Sequence, residues 1–209
     1  MTSTGPSAPR LTGVGVAVPP LSYSQAELLA TFGITDPKVR GVFGNSGIDR
    51  RHLSLPPPGP DGRPAQESQG DLLRKHVTVG IDIGGSALDA SLADAGARRA
   101  DVRYLCCVSS TGFISPGFSA LLIKELGLAT DCARLDVVGM GCNAGLNGLA
   151  AVTGWAAAHP GELAVLLCVE VCSAAYVFDG TMRSAVVNSL FGDGAAALTV
   201  VAGQDRAGR

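Results

Sequence analysis

Val137-Val-Gly-Met-Gly-Cys-Asn-Ala-Gly-Leu-Asn, residues 137–147, passes from apolar residues through two glycines into a run of small residues. The pattern predicts a short strand over residues 135–138 and a helix over residues 144–158. A sharp turn between them is possible at Gly141, because glycine adopts backbone conformations that a Cβ disfavours. The stretch therefore predicts a strand–turn–helix unit with Cys142 at the first turn of the helix.

This position makes Cys142 a candidate nucleophile. The thiolate is the reactive form of cysteine, and a free cysteine with a pKa of about 8.5 is only a few per cent ionised at neutral pH. The positive end of the helix dipole and the free N–H groups of the first turn favour the thiolate. On the local pattern alone, a buried cysteine beside a glycine turn is equally consistent, so both interpretations remain open at this point.

Strands and helices alternate outward from this unit. Strands are predicted over residues 11–18, 102–108, 163–171 and 195–201, and helices from Ser24, over residues 67–96 and over residues 116–126. Strands that consist of unbroken apolar runs are typical of a sheet covered on both faces. The sequence therefore predicts an α/β protein.

The composition excludes several classes of protein. The 209 residues include 16% charged and 46% hydrophobic residues, with a net charge of -2, which excludes a basic nucleic-acid-binding arm and a disordered chain. No apolar run approaches the ~18 residues of a membrane helix, and residues 1–6 lack the features of a signal peptide. We therefore expect a cytoplasmic protein without nucleic-acid or membrane partners, which buries apolar surface against another protein.

The cysteines follow neither a metal-binding nor a disulfide pattern. They show no paired C-x-x-C spacing and no nearby histidine in sequence, so we expect no metal and reduced thiols. Most of the six should be small buried hydrophobic residues.

Several motifs in this order resemble the thiolase superfamily, and within it the chalcone-synthase-like type III polyketide synthases. They are Thr111-Gly-Phe-Ile-Ser-Pro-Gly, Gly141-Cys-Asn-Ala-Gly, Leu167-Cys-Val-Glu-Val-Cys-Ser-Ala and Asn188-Ser-Leu-Phe-Gly-Asp-Gly-Ala-Ala-Ala-Leu. The stretches that begin at Arg134 and Ala174 most resemble the bacterial branch that makes 3,5-dihydroxyphenylacetyl-CoA from malonyl-CoA. The likeness covers roughly residues 10–202.

The resemblance implies that residues 1–209 form the N-terminal half of a thiolase-like αβαβα layered fold. Its mixed sheet would be covered by helices on both faces. The prolines themselves predict a Pro-rich loop over residues 55–66, and we expect a disordered tail over residues 1–10. The family's catalytic histidine and asparagine belong to a second, similar half of the fold. Either the polypeptide is cut, or the enzyme is naturally split and a complementary chain supplies that half. We expect a dimer of complete units, which for a split enzyme is a heterotetramer.

The resemblance also assigns roles by position. Cys142 would accept the acyl group, and Phe191 would be the aromatic gatekeeper between the CoA tunnel and the reaction cavity. Ser115 would reach across the homodimer into the neighbouring site. The cavity wall would include Ser110, Thr111, Glu170, Cys172 and Ala175. The positive charge for the CoA phosphates would come from Lys38, Arg40, Arg50 and Arg51, although a solvated basic stretch explains these four residues equally well.

The implied reaction is a decarboxylative Claisen condensation of malonyl-CoA through a thioester on Cys142, with CoA thioesters as substrates and no cofactor. Two alternatives stay open: a non-condensing subunit in which Cys142 only packs, and a ketosynthase III-like acyltransferase that takes acyl-carrier protein. A third alternative is a kinase. It comes from Val79-Gly-Ile-Asp-Ile-Gly-Gly-Ser, which resembles the phosphate loop of sugar kinases and related ATPases.

Overall fold

The computed structural model describes residues 8–60, 62–176 and 181–203. Its strands are β1 (Arg10–Ala17), β2 (Ser22–Ser24), β3 (Arg50–His52), β4 (Val102–Ser109), β5 (Ala133–Val138), β6 (Leu163–Glu170) and β7 (Gly194–Val201). Its helices are α1 (Gln25–Thr31), α2 (Pro37–Gly44), α3 (Gln69–Asp94), α4 (Phe118–Leu126), α5 (Ala144–Ala158) and α6 (Met182–Leu190). Short 3-10 turns cover Arg99–Asp101, Gly141–Asn143 and Cys172–Ala175.

Five strands form a mixed sheet in the order β1-β7-β6-β4-β5. The central strand β6 runs parallel to β4 and antiparallel to β7, while β5 continues the parallel part beyond β4. Strand β1 pairs antiparallel with β7 at the opposite edge. A separate ribbon pairs β2 with β3.

Helices cover both faces of this sheet, which confirms the predicted α/β class. Along β4, Leu105 and Cys107 belong to the cluster beneath α3 and α4, whereas Cys106 and Val108 belong to the cluster beneath α5. Strand β6 alternates in the same way. Because both sides of these strands are buried, their sequences are continuous apolar runs instead of alternating polar and apolar residues.

The predicted helix over residues 67–96 forms as α3, which runs from residue 69 to residue 94. The glycines that weaken its helical pattern let neighbouring elements approach closely: a Cβ on Gly80 would lie 2.4 Å from the ring of Phe118. The segment 79–86 lies in the middle of this helix. It is therefore not a loop after a strand, and the kinase alternative is wrong.

The ends of the other predicted elements shift by a few residues. Helix α1 begins where predicted, because the Ser24 hydroxyl caps the N–H of Glu27 and the Glu27 carboxylate accepts from the Ser24 N–H. Helix α4 begins two residues later than predicted, since Gly117 has a φ of 100°, outside the helical region.

The two segments predicted to be irregular are described only in part. Of the predicted disordered tail, residues 1–7 lie outside the described residues, and Arg10 already belongs to β1. The Pro-rich loop contains no helix among its described residues and closes through a bridge between Pro58 and Pro64. Within the described part of the chain, no helix is long and apolar enough to cross a membrane.

We predict that Gly15→Ala strongly destabilises the protein. A Cβ at Gly15 would lie 2.1 Å from the Ala87 carbonyl oxygen and 2.4 Å from the Ser91 backbone nitrogen, so α3 could no longer pack on β1. We expect the free energy of unfolding in urea to fall by about 3 kcal/mol or more. Gly41→Ala is the matched control: a Cβ there meets nothing within 4 Å. An equal effect of both substitutions would contradict this packing.

Candidate active site

Cys142 lies in the 3-10 turn that directly precedes α5, as the sequence predicts. The chain leaves β5 through two glycines with positive φ, 71° at Gly139 and 73° at Gly141, where a side chain would be strained. Of the six cysteines, all of which the structure describes, Cys142 alone is exposed. The interpretation of Cys142 as a buried packing residue is therefore wrong for this chain as the structure describes it.

Loops from neighbouring parallel strands meet around this turn. The Gly139 N–H donates to the Ser109 carbonyl oxygen at the end of β4 over 3.2 Å. The Gly141 N–H donates to the Ser110 hydroxyl oxygen over 3.0 Å. These bonds fix the backbone immediately before Cys142 to the loop that follows β4. The site therefore lies at the carboxyl edge of the parallel strands, where ligands bind in many α/β folds.

Glu170, at the end of β6, also binds the loop that follows β4. Its two carboxylate oxygens accept hydrogen bonds from the Ser110 N–H over 2.9 Å and 3.0 Å. The Thr111 hydroxyl accepts from the Val171 N–H over 2.9 Å. Burial raises the pKa of Glu170, while its hydrogen bonds with Thr111 and Ser110 oppose that rise. The structure thus brings together three of the residues that the sequence placed at the cavity wall.

Cys172 and Ala175 begin and end the 3-10 turn that follows β6. Burial is the main cause that raises the pKa of the Cys172 thiol to about 12. The carboxylates of Asp193 and Glu170 act in the same direction, and so does the charge of an ionised Cys142. Cys172 therefore lies within electrostatic range of the exposed sulfur, whereas Ala175 is exposed at the far end of the turn.

Phe191 is the residue that ends α6, and its side chain is 44% exposed. Its carbonyl oxygen accepts hydrogen bonds from the Arg51 guanidinium over 2.7 Å and from the Tyr176 hydroxyl. The backbone of Phe191 is thus fixed by hydrogen bonds from the side chains of Arg51 and Tyr176. Ser115 is exposed in the loop between β4 and α4.

The four basic residues differ in their surroundings, and Arg51 requires a correction. Lys38 and Arg40 are exposed on α2, and Arg50 is exposed and pairs with Glu27 over 3.3 Å. Arg51 is instead buried, and its hydrogen bonds go to internal oxygens. A guanidinium enclosed in this way does not reach a phosphate, so Arg51 leaves the set of candidate CoA ligands.

Asp193 is a structural residue of the site that sequence reasoning missed. Its carboxylate accepts from the Ser54 N–H over 2.8 Å, and from the N–H and hydroxyl of Ser173 over 2.8 Å and 2.6 Å. It therefore joins the segment after β3 to the turn that carries Cys172. The signal was present in Gly192-Asp-Gly, but the sequence does not show which distant N–H groups the carboxylate meets.

We predict that iodoacetamide labels Cys142 at neutral pH at least about 100-fold faster than Cys106 or Cys132. Burial shields these thiols and raises their pKa, to about 12 for Cys106 and about 11 for Cys132. Each unit by which the pKa rises lowers the thiolate fraction at neutral pH about tenfold. Peptide mass spectrometry over a time course measures the rates. Equal labelling of Cys106 and Cys142 in the folded protein would contradict the placement of these thiols.

Comparisons with known proteins agree with this architecture. A family model for the FAE1/type III polyketide synthase-like protein matches residues 66–208. The chain is 62% identical over 198 residues to 3,5-dihydroxyphenylacetyl-CoA synthase of Streptomyces toyocaensis, covering 95% of this chain and 51% of that protein. It is 36% identical over 206 residues to 1,3,6,8-tetrahydroxynaphthalene synthase of Streptomyces peucetius subsp. caesius, of which it covers 53%. The chain spans about half the length of these curated relatives.

Solved structures show the same fold. PKS-I from the brown alga Ectocarpus siliculosus matches with a TM-score of 0.85 and 26% identity, over 100% of this chain and 60% of that one. The C-terminal type III polyketide synthase domain of Steely1 from Dictyostelium matches with a TM-score of 0.80 and 30% identity, over 93% and 56% of the two chains. The resemblance inferred from the motifs and the predicted thiolase-like layered fold are both confirmed.

Proposed function

The chain belongs to the FAE1/type III polyketide synthase-like family, and we propose that it is the nucleophile-bearing half of a synthase that condenses malonyl-CoA through a thioester on Cys142. The observation that carries the proposal is the exposure of Cys142 on a glycine turn at the start of α5. A nucleophile in this position is accessible, and the first turn of the helix presents N–H groups and a positive dipole end to an anion.

The proposed reaction has two stages. The Cys142 thiolate attacks the carbonyl carbon of an acyl-CoA thioester, the carbon–sulfur bond to CoA breaks, and CoA leaves as a thiolate that takes up a proton. Malonyl-CoA then loses CO₂, and the resulting enolate attacks the Cys142 thioester. A carbon–carbon bond forms, and the Cys142 thiolate is released. A covalent intermediate of this kind divides one difficult step into two easier ones.

Apolar surface on one side of the molecule supports the need for a second half. Gly13 and Gly15 of β1 pack against α3, so the alternating residues Val14 and Val16 face the side of α5. Val16 is 71% exposed, and Leu146 on α5 is 72% exposed. Apolar patches of this kind mark protein contacts. We propose that the second half-fold, with the catalytic histidine and asparagine, covers this surface, from the same polypeptide or from another chain.

A dimer is the second part of the proposal. Strand β5 is an edge of the sheet, and its residues Arg134, Leu135 and Val138 are exposed. An unpaired edge strand offers a row of N–H and C=O groups to a second copy. We propose that complete units associate in pairs, which for a split enzyme gives four chains. The free cysteines fit a reducing compartment, and we place the enzyme in the cytoplasm.

Condensation by a reconstituted enzyme tests this function. The chain is co-expressed with the C-terminal half of 3,5-dihydroxyphenylacetyl-CoA synthase of Streptomyces toyocaensis and incubated with malonyl-CoA labelled at its free carboxyl group. We expect release of labelled CO₂ and a polyketide product. A requirement for acyl-carrier protein would favour the ketosynthase III-like alternative, and absence of CO₂ release from a stably assembled complex would favour a non-condensing subunit.

A further inference from the structure

Arg51, on β3, is the centre of a buried polar network. It is 5% exposed. Its Nη1 donates to the Tyr176 hydroxyl over 2.6 Å and to the Phe191 carbonyl oxygen over 2.7 Å, and its Nη2 donates to Gln25 Oε1 over 2.9 Å. The Tyr176 hydroxyl in turn donates to the same Phe191 carbonyl. Two donors from different parts of the chain therefore converge on one backbone oxygen.

The location of this charge has a physical explanation. The three hydrogen-bond partners of Arg51 are neutral oxygens, and burial lowers the pKa of Arg51, although a guanidinium remains charged in proteins. Phe191 is the C-terminal capping residue of α6, where unpaired carbonyl groups carry the negative end of the helix dipole. Arg51 thus satisfies the carbonyl oxygen of the residue that ends α6, and neutral oxygens surround its charge.

The neighbouring backbone is held by the same ribbon. Gln25 Nε2 donates to the Ser189 carbonyl oxygen over 2.7 Å. The Asp193 N–H donates to the His52 carbonyl oxygen over 2.8 Å, and a Cβ on Gly192 would lie 3.1 Å from that oxygen. The chain from the end of α6 to the start of β7 is therefore fixed against α1 and β3. The Phe191 side chain projects from this fixed backbone and is 44% exposed.

We propose that Arg51 and Tyr176 are positioning residues that clamp the Phe191 carbonyl and thereby determine which acyl groups reach Cys142. The clamp fixes the point and direction from which the Phe191 ring projects, and a displaced ring changes the size of acyl group that passes. The selectivity part rests on the proposed function of this site, in which Phe191 borders the path of the acyl-CoA. The positional part rests on the hydrogen bonds alone.

Two variants test the clamp. Tyr176→Phe removes one of the two donors to the carbonyl with little change in volume, and Arg51→Met removes the other donor together with the charge. Tyr104→Phe is the matched control, because Tyr104 lies in β4 near the opposite end of the sheet. The 209-residue chain, assembled with the C-terminal half as in the reconstituted enzyme, is incubated with acetyl-CoA or hexanoyl-CoA, and acylation of Cys142 is followed by intact-mass spectrometry.

We expect Tyr176→Phe to change the ratio of acetyl to hexanoyl transfer about fivefold, the factor that one neutral hydrogen bond contributes to an equilibrium. The change should appear mainly in KM, and Arg51→Met should change the ratio further. Arg51→Lys retains the charge without the paired N–H donors of the guanidinium and should give an intermediate ratio. Tyr104→Phe should leave the ratio as in the unsubstituted chain. Ratios unchanged in Tyr176→Phe and Arg51→Met, with folding intact, would overturn the clamp.

A second readout separates the clamp from the proposed function. The chain is labelled with 4-fluorophenylalanine, and the ¹⁹F resonance of residue 191 is assigned from its loss in Phe191→Leu. We expect this resonance to shift or broaden in Tyr176→Phe and to stay unchanged in Tyr104→Phe. If no chain takes up an acyl group, the proposed function fails while the resonance still decides the clamp. A resonance that does not respond to Tyr176→Phe contradicts the clamp even if acylation proceeds.

Discussion

Cys142→Ala is expected to abolish condensation by the reconstituted enzyme, with a loss in turnover of about 10⁴-fold or more. The proposed chemistry passes through a thioester on this sulfur, and removal of a covalent nucleophile costs other enzymes factors of this order. Labelled CO₂ release and product formation from malonyl-CoA measure the effect. Since Cys142 is exposed on a turn, its replacement should leave the fold and the assembly intact.

Cys132→Ala is the matched control for this substitution. Cys132 is buried just before β5, away from the strand end that carries the site, so its loss should affect stability more than turnover. Circular dichroism and the mass of the assembly establish that both variants are folded. Condensation by Cys142→Ala within tenfold of the unsubstituted enzyme would show that another group accepts the acyl chain.

The 209-residue chain by itself is expected to show condensation at least about 10²–10³-fold below that of the reconstituted enzyme. The family resemblance places the histidine and asparagine that stabilise the thioester oxyanion in the second half of the fold, and one lost oxyanion donor already costs a factor of this size. Addition of the C-terminal half should restore the rate. Full condensing activity from the purified chain alone would overturn the need for a second half.

The nucleophile turn could be predicted because its causes are local. Gly141 adopts its positive φ within the same few residues that end β5 and begin α5, so the turn depends on neighbours in the sequence. The sheet was also predictable, since β4 and β6 carry apolar residues on both faces and each face is buried against helices. In α3, by contrast, the glycines obscured a helix because their reason is tertiary: Gly80 accommodates the ring of Phe118.

The role of Arg51 could not be assigned correctly from sequence either, because it depends on tertiary contacts. A basic residue beside Arg50 in a short polar stretch has the pattern of a solvated or phosphate-binding side chain. Two of its three hydrogen-bond partners, Tyr176 and Phe191, lie 125 and 140 residues away along the chain. Whether a cation is buried depends on such long-range partners, which neither spacing nor composition reveals.

The most direct test of the central claim is a peptide map of the chain after incubation with malonyl-CoA or acetyl-CoA. We expect a hydroxylamine-sensitive acyl adduct on the peptide that contains Cys142, and no adduct in Cys142→Ala. The exposed Cys142 should be acylated slowly by the chain alone, since the oxyanion donors of the second half would accelerate this step as well. An adduct confined to Cys172 or to another cysteine, or a folded chain whose Cys142 is alkylated by iodoacetamide but never acylated, would contradict the account.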